Sequence, residues 1–350
     1  MVFNLEPRPD NPRNSEGAFI ALWSGRILFL YTQFYGGTAD ESPARIVSLQ
    51  SDDEGRTWSG EPQVVVENGV AANVMSVSLL RLQSGRLALF YLIKNSLLDC
   101  RPVMRISTDE AVTWSEPRLV GEAPGYFVLN NDRVIQLKTG RLVVPLGFHR
   151  ARASDPKQRH SLDPRALALW CLSDDEGTTW REAEDWWALP ARTQTGLQEP
   201  GVVELADGRV FSWMRTDQGA QFGCYSTDGG RSWPSPEKTS LASPVSPASI
   251  KRWPGSADLL AVFNDHSGQF PFSKGKRTPL VAAISSDNGR TWPQRKLLER
   301  NPDGWYCYTA IHFAGDAVLL AYCAGDPKVG GLNRLRLRRV TIEWLKSGAP

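Results

Sequence analysis

Ser51-Asp52-Asp53-Glu54-Gly55-Arg56-Thr57-Trp58 decides the fold of this chain, because four variants of it follow. They run from Ser107 to Trp114 with Ala111 in the glycine place, from Ser173 to Trp180, from Ser226 to Trp233 with Ser232 for threonine, and from Ser285 to Trp292. Successive copies begin about 60 residues apart, a period that marks one supersecondary unit repeated along a chain. The residue types explain the unit. Ser and Asp side chains accept hydrogen bonds from nearby backbone N–H groups and fold a turn onto itself. Gly permits a positive φ in that turn. Trp is a large apolar plug whose buried indole N–H seeks an acceptor. These boxes are expected to be structural corners that report the fold and not the chemistry.

A second repeat interleaves with the first. Ser24-Gly25-Arg26, Ser84-Gly85-Arg86, Thr139-Gly140-Arg141 and Asp207-Gly208-Arg209 each lead into an apolar run, and looser copies begin at Gly255 and Gly315. Gly in a tight turn between apolar runs signals a β-hairpin. Five of the six hairpins are followed by a Ser-x-Asp box, and no segment shows sustained helical periodicity with caps. Short strands at this density imply an all-β repeat array, and six units of about four strands each suit a six-bladed β-propeller. The alternating stretch Leu335 to Ile342 is expected to share the sixth unit with Phe3-Asn4-Leu5. No linker divides residues 1–350, so a single domain is expected. The polar stretch 150–164 reads as a long surface loop.

Composition sets the broad class. The chain has 350 residues, of which 41% are apolar and 22% charged, enough for a large globular core. A net charge of +2 gives no sign of a nucleic-acid or membrane partner. Five cysteines, Cys100, Cys171, Cys224, Cys307 and Cys323, are odd in number and unclustered, the pattern of reduced core thiols. No stretch approaches the ~18 apolar residues of a membrane span. The N-terminus has no basic region followed by an apolar run, so a cytoplasmic location is expected. His149, His160, His266 and His312 lack metal-ligand spacing, and no phosphate loop or serine elbow appears. No cofactor is expected.

In a propeller, functional side chains gather where inner strands end around the axis. Glu199-Pro200 precedes the fourth hairpin and Arg215 follows it. Arg277 lies eight residues before the fifth box, and Asp40 eleven before the first. Tyr306-Cys307-Tyr308-Thr309 precedes the sixth hairpin, and Arg13-Asn14-Ser15-Glu16-Gly17 the first. Either tyrosine is a candidate. Asn131 and Arg133, in Asn130-Asn131-Asp132-Arg133 before the third hairpin, and Asn264 after the fifth, are further candidates for contacts with a ligand. Trp186, Trp187 and Trp213 offer faces for a sugar ring, although most tryptophans here are expected to fill blades.

On these boxes and residues the chain resembles the sialidases (neuraminidases) and their bacterial neuraminidase repeat relatives. The resemblance spans nearly the whole chain. It implies a six-bladed propeller and an exo-acting, retaining glycoside hydrolase, independent of metal, that removes terminal sialic acid from glycans. It implies Tyr308 as nucleophile, Glu199 as its base and Asp40 as acid/base, with Arg13, Arg215 and Arg277 binding the substrate carboxylate. One departure is specific. The family usually carries Arg-Ile-Pro near the first arginine, and this chain has Arg13-Asn14-Ser15-Glu16-Gly17, so two outcomes are open: Arg13 reaches the same pocket, or Glu16 changes what that subsite accepts. Two other functions remain consistent with the sequence: a glycosidase or lyase acting on another anionic or deoxy sugar, and a propeller that binds glycan or protein without catalysis.

Overall fold

A computed structural model describes residues 1–69, 71–155 and 161–347. Antiparallel strands dominate it. Four sheets have four strands each. The first contains Arg13–Ala21, Ile27–Phe34, Ala44–Ser51 and Gln63–Val66. Another contains Gln198–Glu204, Val210–Arg215, Ala220–Ser226 and Glu237–Ala242. The next contains Ser249–Arg252, Leu259–Asn264, Leu280–Ser285 and Gln294–Glu299. The last contains Trp305–Ala314, Ala317–Gly325, Leu335–Thr341 and the N-terminal Val2–Leu5. The two chain ends therefore share one sheet, with Phe3 opposite Leu337 and Leu5 opposite Leu335.

The strands from Asn73 to Glu182 differ from the expectation of separate four-stranded units, because they form one nine-stranded sheet. Its two halves meet through a single parallel bridge between Tyr126 and Cys100. The break has a local cause. The chain between Tyr126–Val128 and Ile135–Gln136 leaves the strand geometry, with Asp132 at φ 57°.

The first strands Arg13–Ala21 and Gln198–Glu204 are buried along most of their length. Arg13–Ala21 packs against both Asn73–Arg81 and Trp305–Ala314, and Ser249–Arg252 packs against both Gln198–Glu204 and Trp305–Ala314. Apolar clusters fill the spaces between successive sheets. Phe19, Phe29, Leu319 and Leu337 join the first sheet to the last. Ala18, Leu30, Val74 and Leu89 join the first to the nine-stranded sheet. Val203, Phe211, Ile250 and Ala261 tie the sheet that begins at Gln198 to the one that begins at Ser249. Leu260, Val262, Ile311 and Val318 tie that sheet to the last. Each fully buried aromatic or aliphatic side chain contributes about 1.5–3 kcal/mol. All five cysteines are free and buried, as the spacing suggested.

The boxes sit between the third and fourth strands and close on themselves. Ser51 Oγ accepts from Gly55 N at 2.9 Å and donates to Asp53 Oδ1 at 2.8 Å. Asp53 also accepts from the backbone N–H of Thr57 at 2.8 Å and its hydroxyl at 2.7 Å. These bonds hold the Asp53 carboxyl down at about 2, and Thr113 and Thr179 do the same for Asp109 and Asp175. The boxes also staple sheets together. Glu110 accepts from Trp23 N at 2.8 Å, and Glu176 from Ser84 N at 3.0 Å, each in the hairpin of the preceding unit. Trp233 is buried as expected and donates to Gly230 O at 2.9 Å, whereas Trp58 and Trp114 are only half-buried.

Residues 156–160 of the expected 150–164 loop, His160 included, lie outside the described residues; Arg152 N donates to Ser161 O across their flanks at 2.6 Å. Among the described residues no helix is long and apolar enough to cross a membrane.

Candidate active site

The boxes and hairpin turns occupy one end of the sheets, and the chemistry collects at the other. Four first strands carry the same irregularity there. The pairing register shifts between Ser15 and Ala18, Met75 and Ser78, Gln198 and Gly201, and Cys307 and Ala310. Each bulge holds one non-glycine residue in the left-handed region: Glu16 at φ 48°, Ser76 at 64°, Glu199 at 49° and Tyr308 at 58°. Asp132 takes the matching place in the broken strand. Bulges re-aim side chains and gather beside functional sites. Here they turn Glu16, Ser76, Glu199 and Tyr308 into one cleft, shared with Asp40, Lys94, Tyr126 and Asn130.

Tyr308 and Glu199 form the centre. The Tyr308 hydroxyl donates to Glu199 Oε1 at 3.0 Å, and Arg215 Nη1 donates to both Glu199 oxygens at 2.9 Å. Arg215 also contacts Gln198 Oε1. The Arg277 guanidinium lies 5.5 Å from the centre of the Tyr308 ring and 5.2 Å from that of Trp305, within cation–π range. The Nε atoms of Arg277 and Arg215 are buried without partners. Burial pushes the Tyr308 phenol up, and the Glu199 charge pushes it further, while Arg277 and Arg215 pull it back.

Of the two tyrosine candidates, Tyr308 lines the cleft and Tyr306 does not. Tyr306 packs in the core, 6.4 Å from the Tyr322 ring, and its phenol is pushed up to about 12, first by burial. In a regular strand positions 306 and 308 would face the same way. The positive φ at Tyr308 separates them.

Asp40 sits in the loop after Ile27–Phe34. Its carbonyl accepts from Asn73 Nδ2 at 2.5 Å and Lys94 Nζ at 2.8 Å, and its carboxylate from Arg13 Nη1 at 2.6 Å. Arg13 is 1% exposed and, like Arg215 and Arg277, is not part of the cleft lining. Its other terminal nitrogen faces Ser15 Oγ at 3.4 Å and Glu16 Oε1 at 3.5 Å. Ser76 Oγ donates to Glu16 Oε2. Burial raises the Glu16 carboxyl; Arg13 opposes this, and Asp40 and Glu199 add to it.

The remaining candidates lie behind the cleft. Asn131 Nδ2 donates to the carbonyls of Gly17 at 2.8 Å and Tyr308 at 3.1 Å, which fixes two bulges. Arg133 is fully buried, 5.3 Å from the centre of the Trp213 ring, with Nε and Nη2 unpartnered. Burial pushes it down to about 10 against the pull of Glu199, Asp132 and Tyr308. Asn264 accepts from Ser246 Oγ at 2.5 Å and donates to Pro279 O at 3.3 Å, a buried brace. Trp213 is likewise buried, donating to Ala248 O at 2.9 Å, while Trp187 donates to Trp233 O at 2.8 Å and Trp186 is exposed.

Ser76, Lys94 and Tyr126 were not singled out as ligand-facing from the sequence, whereas Asn130 belongs to the stretch Asn130-Asn131-Asp132-Arg133 that was. A signal existed for Ser76. Glu16, Ser76 and Glu199 each precede their hairpin glycine, Gly25, Gly85 or Gly208, by nine residues. Lys94 and Tyr126 have no such regularity.

Comparison with known proteins follows the same lines. Residues 25–320 match the BNR repeat-like domain model. A sialidase of Micromonospora viridifaciens is 28% identical over 320 residues, which cover 82% of this chain and 46% of that protein. A sialidase of Bacteroides fragilis is 28% identical over 226 residues, covering 60% of this chain and 37% of that protein. The chain thus spans less than half the length of these relatives. Among solved structures, the intramolecular trans-sialidase from Ruminococcus gnavus superimposes with a TM-score of 0.75 at 17% identity, covering 99% of this chain and 98% of the other.

Proposed function

This chain belongs to the BNR-repeat family of the sialidase superfamily, and from that premise we propose that residues 1–350 form a single six-bladed β-propeller acting as an exo-glycosidase of the sialidase type. Its substrate is a glycan ending in sialic acid or a closely related acidic sugar, and configuration is retained. The observation that carries this reading is the chain of contacts from Tyr308 through Glu199 to Arg215, with Arg277 over the phenol. The succession of apolar clusters from the first sheet to the last supports the ring.

The roles follow from charge. A sialic acid bears a carboxylate on its anomeric carbon, which would repel a carboxylate nucleophile. A neutral phenol avoids that repulsion. Tyr308 Oη attacks the anomeric carbon while its proton passes to Glu199. Asp40 protonates the departing glycosidic oxygen, and an aryl glycosidic bond then links sugar to enzyme. Asp40 next takes a proton from water as the water oxygen attacks the same carbon. The C–O bond to Tyr308 breaks, and the phenolate recovers its proton from Glu199. Arg215 and Arg277 hold the sugar carboxylate, and with Arg133 they stabilise the transient phenolate.

The test is turnover of a fluorogenic sialoside by the wild-type protein, Tyr308→Phe and Asp40→Ala. The reading expects turnover by the wild type and large losses in both variants. Full activity in both variants would refute the assigned roles. One feature favours a sugar other than the common sialic acids: Arg13, the third expected clamp, is engaged by Asp40 and Glu16. Sugars released from a panel of anionic glycans separate the two readings.

A further inference from the structure

Glu16 is absent from the roles above, yet it faces the same cleft from the same kind of bulge as Glu199 and Tyr308. Its two oxygens are unequally served. Oε2 accepts from Ser76. Oε1 has Arg13 Nη2 and Ser15 Oγ as neighbours, both at 3.5 Å, the outer limit of a hydrogen bond. A carboxylate offers about four acceptor positions, so Oε1 keeps capacity for a shorter bond. Arg13 does not require Glu16 for neutrality, because Asp40 already pairs with it at 2.6 Å.

A second side chain lining the same cleft points to the same conclusion. Asn130 lines the cleft and is 2% exposed. Its Oδ1 accepts from Asn131 N at 2.8 Å, but its Nδ2 is buried without a partner. Asn131 Nδ2 bonds to Gly17 O, so this segment abuts the Glu16 bulge. A buried, unpartnered amide donor is costly unless a ligand meets it.

We propose that Glu16 and Asn130 form a subsite for one hydroxyl of the bound acidic sugar, with Glu16 accepting a hydrogen bond from it and Asn130 donating one to its oxygen. A hydroxyl is the group that donates and accepts at once. The sugar carboxylate is excluded from this subsite by the charge of Glu16 and goes instead to Arg215 and Arg277. The inference rests on the function proposed above and specifies how that site selects its sugar.

The experiment is an NMR titration of sialic acid and its mono-deoxygenated analogues at millimolar concentration. It is run on the wild type, Glu16→Ala and Asn130→Ala, with circular dichroism to verify folding. A hydrogen bond to a charged group supports a loss of about tenfold or more. One deoxy analogue should bind the wild type about tenfold or more weaker than the parent, and that penalty should vanish in a folded variant. Either variant suffices for the comparison. Equal penalties for every analogue in the wild type and the variants would overturn the subsite. Failure of the parent sugar to bind the wild type would count against the proposed function, and against this subsite with it.

Discussion

Glu199→Gln removes one negative charge from the site at nearly constant side-chain size. In the native protein Glu199 accepts three short bonds, one from Tyr308 at 3.0 Å and two from Arg215 at 2.9 Å. Glutamine retains one oxygen and replaces the other with a donor, which faces the donor nitrogens of Arg215. The phenol then has no base. A positioned general base is worth about 100- to 10,000-fold in rate, or about 3–5 kcal/mol of barrier. The structural loss is smaller. Removing one partner of a buried ion pair costs about 3–5 kcal/mol, but water reaches this pair, whose side chains are 12% and 10% exposed. About 1–3 kcal/mol of stability is therefore expected. The assay is kcat/KM on a fluorogenic sialoside for Glu199→Gln, Tyr308→Phe and the double variant. Residues that act as one unit are far from additive. The double variant should be about as impaired as the worse single one. A Glu199→Gln enzyme with more than half of wild-type kcat/KM, or losses that multiply in the double variant, would refute the base–nucleophile pairing.

Gly201→Ala probes the packing under that bulge. A Cβ there would lie 2.3 Å from Trp213 Cζ2 and 2.5 Å from Cε2, and Trp213 is held by its bond to Ala248. A destabilisation of about 1–3 kcal/mol is expected in denaturant unfolding, with reduced turnover as Glu199 shifts; an unchanged midpoint would contradict the observed packing. The boxes predict an acid limb. Asp53, Asp109 and Asp175 are depressed to about 2 in the fold, so their stabilisation is present above the ordinary carboxylate value near 4 and is lost as pH falls through 2. Urea midpoints should fall between pH 4 and 2, and Asp53→Asn should flatten that limb slightly, because the group is exposed. An identical limb in the variant would refute this source of acid sensitivity.

Legibility in the sequence followed range. The boxes could be read because Ser51, Asp53, Gly55 and Thr57 bond to one another within seven residues. Glu199 and Arg215 could be read because one hairpin sets them opposite each other; Gln198 pairs with Arg215 across the strands. The role of Arg13 could not. Its partner Asp40 is 27 residues away in an irregular loop, and that loop is placed by Asn73 and Lys94 from the next unit. Asn131 and Asn264 read as ligand contacts, but they meet backbone carbonyls and a serine from other segments of the chain.

The repeat of Ser-x-Asp corners and glycine hairpins was enough to determine an all-β array and the pairing of the chain ends, because turn chemistry acts between near neighbours and hydrophobic alternation selects the buried face. Only the tertiary structure decided which polar residues share the cleft. That choice rests on left-handed bulges at Glu16, Ser76, Glu199 and Tyr308, which reverse the direction a regular strand would give each side chain. Such a conformation is unfavourable for a residue with a Cβ, and packing from sheets distant in sequence is what holds it.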